Sequence, residues 1–319
     1  MKAMESLEDF VNKQEIKVRQ KIRNKAFKNC ESLTEIIFSH DLEILQWTFQ
    51  TLKRRFAEVV YTPGNHELWL DKKRNMTTTT TTNTNKICQS SGNGDGCTNS
   101  IEKLEKVLQC CLDNNIHIGP CKVCSNNNAP LWVIPLLSWH HESFDTEPQI
   151  ECWGGIPSAR RVVSDYYRAT WPQPLSQQDD SVAEFLDGLN DVILDLEELK
   201  NDNNNNGSIL TVSHFLPRIE LIPEKRYLTL PTLHSSVGST YLERRIRQLR
   251  SSCGKSDDDK EDHLHAFGHS HLSWDLRIDG VRYVHVPLAY PREWQQRRGS
   301  LEIGTMQGEV SDHRLPVCI

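Results

Sequence analysis

Five side chains in this sequence could hold a metal ion: Asn65, His66, His214, His269 and His271. They lie in three segments of one design, an apolar run that ends in donor groups. The segments are Val59-Val60-Tyr61-Thr62-Pro63-Gly64-Asn65-His66-Glu67, Ile209-Leu210-Thr211-Val212-Ser213-His214 and Ala266-Phe267-Gly268-His269-Ser270-His271. A strand end holds a ligand on rigid backbone yet leaves it open to solvent. Imidazole nitrogen with amide or carboxylate oxygen suits Zn, Fe or Mn far better than Ca. The i, i+2 spacing of His269 and His271 predicts side chains on one face of an extended segment. Gly64 and Gly268 are expected to let the backbone turn sharply beside an ion.

Several weaker candidates surround these. His263 and His265 read as a solvated approach to a strand. His140 and His141 follow an apolar strand, which suits either a pocket lining or a surface turn. Arg218 and Arg292 could bind a phosphate but read more simply as exposed. Cys121-x-x-Cys124 with Cys110-Cys111 has the residues of a zinc module, yet adjacent cysteines clamp poorly, so free thiols are expected.

The elements that must position these groups alternate. Leu42, Leu45, Phe49, Leu52 and Phe56 predict a helix capped by Ser39 or Asp41. Ala57 to Tyr61 predicts a buried strand ended by Pro63-Gly64. Further helices are expected over Ile101–Leu112, Ser158–Tyr167, Val182–Leu196 and Tyr241–Arg250. Strands are expected over Ile116–Ile118, Leu131–Leu137, Ile209–Ser213 and His265–Phe267, with a hairpin around Asp279-Gly280. Polar low-complexity tracts at about 75–100, 125–128 and 201–207 cannot pack a core and read as loop inserts. One mixed domain over 36–310 is expected, after a peripheral charged segment over 1–35 and before a tail over 311–319.

Composition narrows the function. The 319 residues carry a formal net charge of −6, which argues against a nucleic-acid surface over the whole protein. Mean hydropathy is −0.57, and no apolar run is long enough for a membrane span. Ten cysteines without a secretory signal point to reduced thiols and a cytoplasmic setting.

Taken in order, Gly64-Asn65-His66-Glu67, the strand-end His214 and Gly268-His269-Ser270-His271 resemble the calcineurin-like metallophosphoesterases. The similarity extends from about Asp41 to Arg292. Leu136–Asp145 and Pro287–Arg292 are similar to a plant and algal branch. The resemblance implies an α+β fold, a four-layer αββα sandwich of two mixed sheets. It implies hydrolysis of a phosphomonoester or phosphodiester by metal-activated hydroxide, on a phosphorylated substrate. Asn65, His214 and His269 would ligate one divalent ion, of the Mn, Fe or Zn type, and His271 a second. His66 would act as the general acid on the leaving oxygen. The family's opening Asp-x-His and Gly-Asp elements have no counterpart here, because no Asp-x-His occurs and Gly94-Asp95 comes too late. The bridging aspartate would fall near Ile37. A single-metal enzyme and a catalytically inactive binding protein with the same fold both follow from that loss.

Overall fold

The computed structural model describes residues 41–70, 96–123, 131–150, 154–194, 208–252, 263–285 and 307–309. The segment over 1–35, the tail, Arg292 and most of the inserts lie outside these residues.

The first helix, α1 (Leu42–Lys53), starts at Asp41, whose carboxylate accepts from the amides of Glu43 and Ile44. This satisfies two of the orphan donors at the helix start. The second, α2 (Ser100–Asp113), is capped in the same way by Asn99. Between them, Val59 and Tyr61 pack with Leu45, Phe49, Val107, Cys111 and Ile116 in one buried cluster. The expected strands over 57–61 and 116–118 form no regular strand; they share one parallel bridge, Val60 to His117.

The remaining strands form one seven-stranded sheet: β1 (Cys121–Val123), β2 (Leu131–Pro135), β3 (Ser208–Val212), β4 (His263–Ala266), β5 (Trp274–Ile278), β6 (Val281–His285) and β7 (Gln307–Glu309). Their order is β1-β2-β3-β4-β6-β5-β7. Strands β2, β3, β4 and β6 are parallel neighbours. The pairs β1–β2 and β5–β6 are antiparallel, and the edge strand β7 is parallel to β5.

Helices carry the crossovers. Short helices α3 (Ala159–Val162) and α4 (Asp165–Arg168) and the longer α5 (Ser181–Ile193) stand between β2 and β3, and α6 (Thr240–Ser252) between β3 and β4. Leu242, Ile246 and Leu249 of α6 share a buried cluster with Trp132, Ile134, Ile209 and Tyr283. Val133 and Val212, on the opposite face, pack with Cys121, Val123 and Val60. A parallel sheet needs cover on both faces, and these clusters supply it.

This architecture bears out a mixed sheet flanked by helices and changes the class. Parallel strands joined by helical crossovers make the fold α/β rather than α+β. Where an αββα sandwich calls for two sheets, the described residues form one, faced by the single Val60–His117 bridge. The N-terminal strands of a second sheet would precede Asp41, outside the described residues.

Two histidine expectations also change. His263 and His265 are fully buried, because β4 begins at His263 and lies between β3 and β6. Alternation points both rings the same way, onto Thr211 Oγ1 at 3.0 and 2.9 Å. No helix among the described residues is long and apolar enough to cross a membrane.

Candidate metal centre

The parallel strands end on one edge of the sheet, and the polar groups collect there. This is where open α/β sheets hold ligands. His140 and His141 follow β2, His214 follows β3, His269 and His271 follow β4, and His285 closes β6. The sheet's hydrogen bonding continues into these loops. Ser213 N donates to Ala266 O at 3.0 Å, Gly268 N to His214 O at 3.0 Å and Phe267 N to Val284 O at 3.1 Å. The donors therefore hang from backbone that is itself pinned.

Three of the five expected residues meet. His214 Nε2 lies 2.9 Å from Asn65 Oδ1 and 3.1 Å from His269 Nδ1. Spacing of about 3 Å is what neighbouring ligands adopt around one ion with bonds of about 2.1 Å. Secondary contacts orient each donor. Asn65 Nδ2 donates to Asp165 Oδ1 at 2.8 Å, which turns Oδ1 of the amide toward His214. The Nε2–H of His269 faces the Ser236 carbonyl at 3.1 Å. That contact sets the tautomer and leaves the Nδ1 lone pair for the centre. One O and two N donors, buried and so oriented, fit a divalent ion of the Zn, Fe or Mn type.

What Gly64 supplies is room beside the His214 ring rather than a special backbone torsion. A Cβ on Gly64 would come within 2.7 to 2.9 Å of the His214 ring, so the position reserves space. The left-handed conformations belong instead to His269 (φ 69°) and His271 (φ 57°). Both residues lie beyond β4, not on an extended face. Non-glycine residues adopt this region rarely, and such outliers cluster at functional sites. In the turn before the centre, buried Glu67 accepts from Gly64 N at 2.7 Å and so holds the Pro63–His66 corner.

His66 stands at the rim, partly exposed, its ring stacked on Trp69 with centroids 3.8 Å apart. His271 lies close enough to interact electrostatically with His214, His269 and His285. Burial pushes His214 well below the usual histidine range, with His269 and His66 adding to the shift. Burial also takes His269 down to about 4, against the pull of Asp165. Unprotonated imidazoles are what a metal requires.

Asp165 is the residue that sequence reasoning missed. It is fully buried and accepts from both Asn65 Nδ2 and Trp69 Nε1, at 2.8 and 2.7 Å. His140 Nε2 lies 3.3 Å from its other oxygen, close enough for a charged pair. Burial alone would raise its pKa, but His140, His269 and the Asn65 amide hold it below the ordinary carboxylate value. No local pattern marks this aspartate, since its partners lie up to 100 residues away. His140 and His141 are likewise buried, not on a surface turn. A cavity of about 560 Å³ opens nearby, lined by Glu142, Asp145, Arg160, Lys225, Thr232 and Ser235.

Arg218 is taken up by carboxylates: Glu220 at 2.8 Å, Glu243 at 2.9 Å and Asp279 at 2.7 Å. It is therefore no phosphate ligand. Cys97, Cys110, Cys111 and Cys121 are thiols outside any disulfide, and Cys124 lies outside the described residues. The ligand atoms of Glu58, His117 and Cys121 all fall within 4.8 Å of one another, a second possible metal site.

The centre can be compared with known proteins. No protein-family model matches the chain. Over 256 residues it is 23% identical to the [acyl-carrier-protein] phosphodiesterase PptH of Mycobacterium tuberculosis, covering 80% of this chain and 67% of that protein. The chain is a distant homologue of PptH. The crystal structure of that phosphopantetheinyl hydrolase superposes with a TM-score of 0.54 at 20% identity, over 81% of this chain and 79% of the other. That likeness carries the fold. The distant homologue is a phosphodiesterase, and by its name it acts on an acyl carrier protein.

Proposed function

We propose that this chain is a metal-dependent phosphoesterase of the calcineurin-like class, acting on a phosphodiester. The observation that carries the reading is the convergence of Asn65 Oδ1, His214 Nε2 and His269 Nδ1. The homology to PptH supports it and favours a diester over a monoester.

When bound, a divalent ion supplies charge neutralisation at the phosphoryl oxygens and acidifies water for attack on phosphorus. The protein does the rest. Asp165 and the Ser236 carbonyl hold the amide and imidazole donors in their binding orientations. His271 contributes to a second position, where the family's bridging carboxylate has no counterpart in this sequence. His66, stacked on Trp69 at the rim, gives its proton to the departing oxygen. The cavity lined by Glu142, Arg160 and Lys225 takes the group that the phosphate carries. By analogy with PptH, a phosphopantetheinylated acyl carrier protein is the first substrate to test. The second sheet of the αββα sandwich and a cytoplasmic setting belong to the same reading.

The test is turnover of bis-p-nitrophenyl phosphate and of a holo acyl carrier protein, with Mn added and after exhaustive chelation. We expect turnover only with the ion, its loss in His214→Ala, and slower turnover at unchanged metal content in His66→Ala. Full activity after chelation would overturn the reading. The missing Asp-x-His and Gly-Asp elements favour one alternative, a binding protein that keeps the ion without catalysis. Metal retention without turnover of either substrate is its signature.

A further inference from the structure

We propose that Glu58, His117 and Cys121 form a second, zinc-class cation site, independent of the histidine centre and built on the other end of the strand segment that delivers Asn65. Their ligand atoms lie within 4.8 Å of one another. A carboxylate oxygen, an imidazole nitrogen and a thiolate sulfur form a donor set that selects Zn over Mg, Ca or Mn. Three protein ligands leave the fourth tetrahedral position to water. The burial suits this, because Cys121 is 1% exposed whereas the Glu58 and His117 side chains keep 18% and 17% of theirs.

The backbone under all three ligands is already fixed. His117 sits on the bridge to Val60: its amide donates to Val59 O at 2.9 Å, and its carbonyl accepts from Tyr61 N at 2.9 Å. Glu58 directly precedes Val59. Cys121 opens β1 and pairs with Val133 of the main sheet. Little chain entropy remains to be lost on binding, the condition for a precise site. An ion here would link residues 57–61 to the edge of the sheet, stiffening the segment that ends at Asn65.

The exchange balances in charge and protons. His117 Nε2 and Glu58 Oε2 face each other at 2.6 Å, and Lys53 Nζ lies 3.9 Å from the same oxygen. On binding, the thiol proton of Cys121 goes to solvent, and the proton that His117 Nε2 shares with Glu58 moves to Nδ1 through solvent, which frees the Nε2 lone pair for the ion. Glu58 trades its hydrogen bond for a metal bond, and the solvent-accessible ammonium of Lys53 swings outward. The thiolate and carboxylate together neutralise the dication.

Cobalt(II) titration of the full-length chain tests this, because a thiolate ligand gives a near-ultraviolet charge-transfer band that N and O donors do not. We expect the band in the wild type and its loss in Cys121→Ser. Glu58→Gln and His117→Gln should bind at least about tenfold more weakly. The band should persist in a His214→Ala, His269→Ala double variant, so failure here and failure of the phosphoesterase reading are separable. A wild type without the band, or a band that survives Cys121→Ser, overturns the site. Should Cys121→Ser not fold, wild-type affinity in both other variants overturns it equally, leaving Glu58 and His117 an ion pair.

Discussion

At the scale of single residues, Asp165 governs the centre without facing it. One oxygen accepts from Asn65 and Trp69, and the other stands 3.3 Å from His140. Asparagine at this position has nearly the same shape but no charge, and it would turn an NH2 toward His140. Asp165→Asn should therefore lower stability by about 1.5–3 kcal/mol, the usual worth of a buried hydrogen bond to a charged group. The acceptor that orients the Asn65 amide would be weakened, and metal affinity should drop by about 10- to 100-fold. Urea unfolding and metal titration of the variant read the two effects separately. Wild-type metal affinity in a folded Asp165→Asn protein would mean that Asn65 is oriented by something else.

At the scale of elements, the β5–β6 hairpin shows which local effect dominates. Its turn places Asp279 at φ 48° and Gly280 at φ 78°, the left-handed pair expected of an Asp-Gly hairpin. Asp279 also reaches Arg218 at 2.7 Å and Arg247 at 2.6 Å, tying the turn to α6. The Asp279–Arg247 pair is half exposed on both sides, and such pairs contribute roughly 0–1 kcal/mol. Forcing a Cβ into the left-handed region costs about 1–2 kcal/mol. Gly280→Ala should thus cost more than loss of the Arg247 pair through Arg247→Ala. The check is a shift in denaturation midpoint at unchanged slope.

At the scale of the whole molecule, the fold is built around uncharged histidines. Burial takes His263 down to about 3, with Arg250 adding to the shift, and pushes its neighbour His265 well below the ordinary value. His285 falls to about 3, mainly through burial and then through His271. The unfolded chain takes these protons near the ordinary value of 6.5, and folded His263 and His285 do not take theirs until about 3. Below pH 6.5 the unfolded state binds more protons, so the stability present above that pH is lost as pH falls toward 3. His263 alone should account for about 1.5–2 kcal/mol between pH 6.5 and 5. Thermal or urea melts across that range should show the slope, and His263→Gln should remove its share. A stability flat from pH 6.5 to 5 would contradict the buried, neutral state.

The sequence by itself determined the periodic elements and the donor-bearing strand ends. Apolar spacing marked α1, α2, α5 and α6. The residues before Asn65, His214 and His269 announced that polar donor groups follow short apolar runs. These are local signals, carried by neighbours three or four residues apart. What only the tertiary structure decided depends on contacts across tens of residues. The central position of β4 buried His263 and His265, which look solvated in isolation. The chain's return through α4 brought Asp165 to Asn65 across 100 residues. The order of the sheet among the described residues, and the meeting of Cys121 with Glu58 and His117, likewise arise from strand pairing. Burial and long-range pairing are properties of the packed chain, and no short window of sequence encodes them.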